Sequence, residues 1–169
     1  MGCSATSRGD PAREADLPRY RHPGRATVTL ITVLSKRAGS GGHSALIVNG
    51  ERRVIFDLAG SLSHVSLAVS GDAIYGANLA VVESYIGYHT RNTDDTVAET
   101  LDITDAVASD LLIRVMLYGT VMQSFGTQSV GALLRFTPGF KDIRPTFPSK
   151  KLMESFAAQP GVRTARFSQ

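Results

Sequence analysis

The chain has 169 residues, of which 43% are hydrophobic and 20% are charged, and its formal net charge is +3. This length and composition predict one globular domain with a hydrophobic core of its own. The basic residues form no stripe interleaved with aromatic side chains, so we expect no nucleic-acid partner. The single cysteine, Cys3, excludes an internal disulfide and a cysteine-based metal site. No apolar run approaches the roughly 20 residues that a membrane-spanning helix needs.

Residues 1–25 are rich in Ser, Gly, Pro, Arg and Asp and predict a disordered tether. The opening Met1-Gly2-Cys3 has three interpretations. It resembles a bacterial lipoprotein cut just before a lipidated Cys3, with a starter methionine in place of the removed signal peptide. It also fits an unmodified tail, or N-myristoylation at Gly2. The lipoprotein interpretation predicts a soluble body of residues 26–169, held at a membrane surface in the periplasm or cell envelope.

The first half of the domain predicts a run of strands. Residues 26–35 are apolar and β-branched, as is typical of a buried strand. A glycine-rich loop then leads to a second strand, residues 43–48. The Asn49-Gly50 dipeptide that follows is the strongest short hairpin signal, and residues 52–57 supply the partner strand.

The middle of the chain alternates between helix and strand. Residues 58–72, punctuated by Ser and Gly, are expected to form a loop. Asn78 is predicted to cap a helix, and residues 93–103 predict another strand. Thr104 is predicted to cap a second helix, which Gly119 ends.

The C-terminal part predicts two further helices and a last strand. Ser124 can cap a helix over residues 125–136, Pro148 opens a short helix, and residues 162–167 form a strand. Strands first, then helices, then one more strand indicate the α+β class, with a small antiparallel sheet packed against several helices.

The hairpin register decides whether His43 and Asp57 lie on the same face of the sheet. If Asn49 and Gly50 alone form the loop, Asp57 lies on the face away from His43. If the loop is residues 49–51, His43 lies directly opposite Asp57. The second register pairs apolar residues with apolar residues more evenly, and a slip of one residue exchanges the faces, so burial favours this register.

An aspartate beside a histidine is compatible with chemistry or with structure alone. The carboxylate fixes the imidazole tautomer and stabilises the imidazolium, as the third member of a nucleophile–base–orienter site does. The structural alternative is a buried Asp57–His43 hydrogen bond, or an aspartate that caps a loop.

The other histidines suggest no metal site. His22, His43, His64 and His89 lack the close spacing of a zinc site, and no cofactor is predicted. His64, in a serine-rich loop, is expected to be exposed. His89, near the end of a helix, is expected to interact favourably with the helix dipole.

The segment GGHSALIVNGERRVIFDLAGSL, followed by SFGTQSVGALLRFTPGF, resembles the circularly permuted branch of the NlpC-type, papain-like cysteine peptidase superfamily. That branch includes bacterial cell-envelope amidases and peptidases, and the lecithin:retinol acyltransferase-like enzymes. The resemblance covers residues 26–140. It implies a papain-like permuted topology, with His43 as general base, Asp57 as its orienter and a nucleophilic cysteine at the N-terminus of the helix after Ser124.

The sequence departs from this family at the nucleophile. A helix N-terminus and a nearby imidazolium lower the pKa of a thiol, but Gly126 stands where the family has its cysteine. Gly126 either serves close backbone packing or marks a lost or substituted nucleophile. Ser124, the nearest hydroxyl, is either a substitute nucleophile or an N-cap.

Three functions remain open. The resemblance implies hydrolysis of an amide or ester, or acyl transfer, on a peptide, glycopeptide or acyl substrate, with this chain inactive or nearly so. The second interpretation is a non-catalytic binding or structural module that uses the same cleft for a peptide, glycan or protein partner. In the third, the resemblance is accidental and the chain is a structural protein of the envelope.

Overall fold

The computed structural model of the chain describes residues 16–58, 68–70, 72–118 and 126–169. Four residues singled out in the sequence lie outside these ranges: Cys3, His64, Gly119 and Ser124. The lipidation of Cys3, the exposure of His64, the helix end at Gly119 and both roles of Ser124 therefore stay predictions.

The described residues form seven strands and four helices. The strands are β1 Thr27–Ser35, β2 Gly41–Asn49, β3 Arg53–Phe56, β4 Ala68–Ser70, β5 Ala73–Tyr75, β6 Asp94–Asp102 and β7 Arg163–Phe167. The helices are α1 Leu79–His89, α2 Asp105–Leu117, α3 Gly126–Arg135 and α4 Ser149–Ala157. None of these helices is long and apolar enough to cross a membrane.

All seven strands belong to one antiparallel sheet, in the order β4-β5-β3-β2-β1-β6-β7. An antiparallel sheet packed against helices confirms the predicted α+β class. The finer expectation, a papain-like permuted topology, stays a prediction.

The sheet has a hydrophobic core on each face, because successive strand residues point to opposite sides and both sets are apolar. One face, here called the α1 face, packs against α1 through Ile31, Ala45, Ile47, Ile55, Val82 and Tyr85. The other, here called the α3 face, packs against α2, α3 and α4 through Leu30, Leu46, Phe56, Leu111, Leu134 and Phe156. Residues 43 and 57 are each two positions from a residue of the α1 face, Ala45 and Ile55, so their side chains point to that face.

The hairpin register is neither of the two that were expected. Leu46 pairs with Phe56 and Asn49 with Arg53, so the loop is residues 50–52. This register is displaced by two residues from the favoured alternative, and a displacement of two preserves the face of every side chain. His43 and Asp57 therefore share a face, as diagonal neighbours and not as a directly opposed pair.

Asn49 lies in the strand and not in the turn because its side chain binds the N-terminal segment. Its Oδ1 accepts a hydrogen bond from the His22 backbone N–H at 3.0 Å. Its Nδ2 donates to the carbonyls of His22 and Arg25, each at 3.2 Å. These three bonds to a distant segment outweigh the local turn preference of Asn-Gly.

The other elements follow the sequence closely, except that neither β4 nor β5 was predicted. Asn78 caps α1 and Thr104 caps α2, each accepting a hydrogen bond from a backbone N–H three residues on. The expected loop over residues 58–72 contains β4, which pairs with β5. Strands of three residues are too short to show a periodic pattern in the sequence.

Two glycines at the start of β2 differ in their surroundings. A Cβ on Gly41 would lie 2.5 Å from the Ser149 Cβ and 2.9 Å from the Lys150 backbone nitrogen, at the beginning of α4. A Cβ on Gly42 would have nothing within 4 Å. Gly42 is also the residue left out of the β1–β2 pairing, where the partners step from His43 to Gly41.

We predict that Gly41→Ala destabilises the protein by about 1–3 kcal/mol, because helix backbone must move to admit the methyl group. The matched control, Gly42→Ala, should be neutral or stabilising by up to about 1 kcal/mol. Urea unfolding of both variants measures the difference. Equal effects at the two positions would contradict the close contact between α4 and β2.

Glu99 is a buried acid on the α3 face. It lies opposite Leu30, its side chain is 2% exposed, and its Oε2 has no hydrogen-bond partner among the described residues. Burial raises the pKa of Glu99 from 4.5 to about 7. The folded protein therefore keeps a proton that the unfolded chain releases above its ordinary pKa.

This raised pKa of Glu99 predicts a loss of stability as pH rises. Its contribution is complete below pH 4.5 and is lost as the pH passes through about 7. The difference between the two pKa values corresponds to about 3 kcal/mol. Urea unfolding at several pH values should show that Glu99→Gln removes this decline. An unchanged pH profile in the variant would contradict the prediction.

Candidate functional site

Four side chains meet on the α1 face around the carboxylate of Asp57. Asp57 follows the last residue of β3, and its backbone N–H donates to the Asp72 carbonyl at 2.8 Å. Its side chain is only 2% exposed. A buried carboxylate is costly unless charged or hydrogen-bonding groups surround it, so its neighbours determine what this site can do.

His43 is the neighbour that β2 supplies. Its Nε2 lies 3.1 Å from Asp57 Oδ1, and its side chain is 15% exposed. It follows directly on the irregular pairing at Gly42. Extra residues of this kind bend a strand and redirect the next side chains.

Helix α1 supplies the other two members, Tyr85 and His89. They are four residues apart, so they project from the same side of the helix. The end of α1 is fixed by Thr90, whose hydroxyl donates to the Ile86 carbonyl at 2.8 Å and is hydrogen-bonded with the Thr96 hydroxyl of β6 at 3.0 Å. Both side chains are thereby held against the sheet.

Tyr85 connects α1 to the His43–Asp57 pair through its hydroxyl. Its hydroxyl donates to Asp57 Oδ2 at 2.9 Å and lies 3.4 Å from His43 Nε2. Tyr85 is fully buried. Each carboxylate oxygen of Asp57 thus has a polar neighbour, one from β2 and one from α1.

His89 stacks on His43 and is the fourth side chain of the site. The two imidazole centroids are 5.0 Å apart and their planes differ by 19°. His89 Nε2 lies 3.9 Å from Asp57 Oδ2. Burial, and then the neighbouring His43, lower the pKa of His89 from 6.5 to about 4, although Asp57 opposes the shift.

The expectation that His89 carries a favourable charge at a helix end is therefore wrong. With this lowered pKa, the His89 imidazole is neutral at neutral pH. His43 directs its Nε2 toward Asp57 Oδ1.

Gly126, at the first position of α3, lies on the other side of the sheet. Among the described residues, a Cβ there would meet Leu58, with its Cβ at 3.8 Å, and Leu58 belongs to the core of the α3 face. The next residue, Thr127, donates to the Ser44 hydroxyl at 3.3 Å. The helix therefore contacts the chain neighbours of His43 and Asp57, while the imidazole itself faces α1.

The sequence left open whether Gly126 serves close backbone packing, and the described contacts around it bear on this choice. A contact at 3.8 Å is ordinary, so none of the described residues around Gly126 requires a glycine there. Gly131, in the same helix, is different, because its Cβ would lie 3.0 Å from Pro145 Cα. Close backbone approach thus explains Gly131, and no contact with the described residues gives the same reason for Gly126.

The structure brings together two of the site residues taken from the sequence, His43 and Asp57. Among the described side chains, it adds Tyr85 and His89, which the sequence analysis missed. The usable signal was their spacing of four on a helix with a clear N-cap. The separation of 46 positions between His43 and His89 concealed their proximity, because sheet pairing and helix packing bring them together.

Comparisons of the chain with models of protein families, with curated proteins and with solved structures found no match. The function therefore has to be inferred from the geometry of the four side chains and from the resemblance of the sequence.

Proposed function

We propose that this chain is a cell-envelope domain of the NlpC-type, papain-like hydrolase or acyltransferase kind, in which the base and its orienter are retained. In this proposal the nucleophile is absent at Gly126, and the protein acts by binding and not by catalysis. The observation that carries the proposal is the contact between His43 Nε2 and Asp57 Oδ1, 3.1 Å apart and largely buried.

The position of α3 supports a relation between the pair and residue 126. Gly126 lies against Leu58, the residue after Asp57, and Thr127 contacts Ser44, the residue after His43. The pairing of β3 with β2 ends at Leu46, so in the described ladder no residue of β3 pairs with His43. The helix N-terminus and the imidazole therefore belong to the same end of the sheet, on opposite sides of it.

The glycine itself supports loss of the nucleophile. Glycine in a helix costs up to about 1 kcal/mol relative to alanine, and the contacts around Gly126 admit a side chain. Neither helix stability nor the described contacts require a glycine at this position. Replacement of a former functional residue would account for it.

The direction of the imidazole favours binding over catalysis. A base has to lie within hydrogen-bond reach of the nucleophile that it activates. The described contacts of the His43 ring are with Asp57, Tyr85 and His89, all on the α1 face. The ligand class that the resemblance implies is a peptide, glycopeptide or acyl group of the envelope, reached from a membrane surface if Cys3 is lipidated.

Restoring a thiol at residue 126 tests the origin of the site. In a Cys3→Ser background, Gly126→Cys should react with iodoacetamide faster than an ordinary surface thiol, because a helix N-terminus stabilises a thiolate and, in the proposed origin, the His43 side chain at the same end of the sheet can turn around that end toward residue 126. Adding His43→Ala should reduce the rate at least about tenfold, which the pH dependence of alkylation measures as a raised thiol pKa.

The matched control is Asp105→Cys, which places a thiol at the first position of α2. The Asp105 side chain is 76% exposed and contacts Arg21, which is not part of the site. Its alkylation rate should not change when His43 is replaced. If Gly126→Cys reacts no faster than Asp105→Cys, or if His43→Ala leaves its rate unchanged, the proposed hydrolase origin is wrong.

A further inference from the structure

We propose that His43, Asp57 and His89 bind a divalent first-row transition-metal ion such as Zn²⁺. The inference deepens the proposed function, since it rests on the same retained site and names a ligand for it. It goes beyond the resemblance, which assigns only a base and an orienter to this part of the chain.

The distances carry the inference. One ligand atom from each residue, a ring nitrogen of each histidine and a carboxylate oxygen of Asp57, lies within 4.8 Å of the others. His43 Nε2 is 3.1 Å from the carboxylate and His89 Nε2 is 3.9 Å from it. In a tetrahedral zinc site with bonds of about 2.0–2.1 Å, ligand atoms are roughly 3.3 Å apart.

The ligand types restrict the metal. Two imidazoles and one carboxylate suit Zn²⁺, Fe²⁺, Co²⁺ and similar ions, whereas Ca²⁺ and Mg²⁺ prefer a set of oxygen ligands. Imidazole nitrogens and a carboxylate oxygen are also the usual protein ligands of zinc outside cysteine-rich sites.

The electrostatics of the site also favour a cation. Asp57 is a carboxylate 2% exposed, with two imidazoles stacked beside it. A divalent ion among these three side chains would stabilise the buried carboxylate.

The surroundings resemble those that orient metal ligands in proteins. The Tyr85 hydroxyl donates to Asp57 Oδ2, which fixes the carboxylate and leaves Oδ1 toward His43. Thr90 ties the residue after His89 to β6. His43 is partly exposed, so an ion can enter past this side chain, and a remaining coordination position can take water or a group of a larger ligand.

The test uses the full chain with Cys3→Ser, so that no thiol competes for metal. Isothermal titration with ZnCl₂ should give one site per chain, and bound Co²⁺ should develop visible absorption. Asp57→Asn and His89→Gln should each weaken binding by about 100-fold or more. Tyr85→Phe, which removes only the orienting hydrogen bond, should weaken it by about 10-fold.

The matched control is His22→Gln, because His22 also has a tyrosine hydroxyl beside its ring, 3.2 Å from Nδ1, but contacts none of the three proposed ligands. Its affinity for zinc should equal that of the parent. Urea unfolding without metal establishes that each variant is folded. Should His89→Gln not fold, the partly exposed His43→Gln replaces it, with the same expected loss.

Zinc binding no tighter in the parent than in Asp57→Asn and His89→Gln would overturn the metal inference. So would equal losses in His22→Gln. This outcome is distinguishable from failure of the proposed function, which depends on the thiol chemistry of Gly126→Cys. If zinc binds as expected and that thiol is unreactive, the metal site stands and the hydrolase origin falls.

Discussion

The organisation of the site depends on one buried charge, the carboxylate of Asp57. A carboxylate that is 2% exposed needs partners, and removing one partner of a buried charge pair commonly costs about 3–5 kcal/mol. Its partners come from β2 and from α1, so the carboxylate joins two strands to the helix on this face. The position of His43 and the position of α1 are consequences of the same requirement.

On both faces of this part of the sheet, specific contacts fix the distances to the packed elements, but the kind of contact differs. On the α3 face, the lack of a side chain at Gly41 lets α4 approach β2, and the lack of one at Gly131 lets the chain at Pro145 approach α3. Backbone contacts therefore set the distances. On the α1 face, the hydrogen bond of Tyr85 with Asp57 and that of Thr90 with Thr96 set them.

Local signals in the sequence predicted most elements, because caps and apolar runs act over a few residues. Asn78 and Thr104 cap the helices that were assigned to them. The hairpin register could not be predicted in the same way, since Asn49 is held by His22 and Arg25, far from the turn. The shared face of His43 and Asp57 was predicted correctly because a register error of two residues preserves it.

The composition of the site could be predicted only in part. The His43–Asp57 pair follows from strands that are neighbours in sequence. Tyr85 and His89 required the packing of α1 on the sheet, and no local pattern encodes that contact. The predicted favourable charge on His89 failed for the same reason, since burial beside a second imidazole changes its pKa.

A double-mutant cycle between Asp57→Ala and Tyr85→Phe tests the central claim most directly. Free energies of unfolding should show a coupling of about 1–3 kcal/mol, the range for a buried hydrogen bond to a charged group. The pair Asn78→Ala and Tyr85→Phe, at opposite parts of α1, should be additive. Additivity within about 0.5 kcal/mol for Asp57 and Tyr85 would contradict a site organised around this carboxylate.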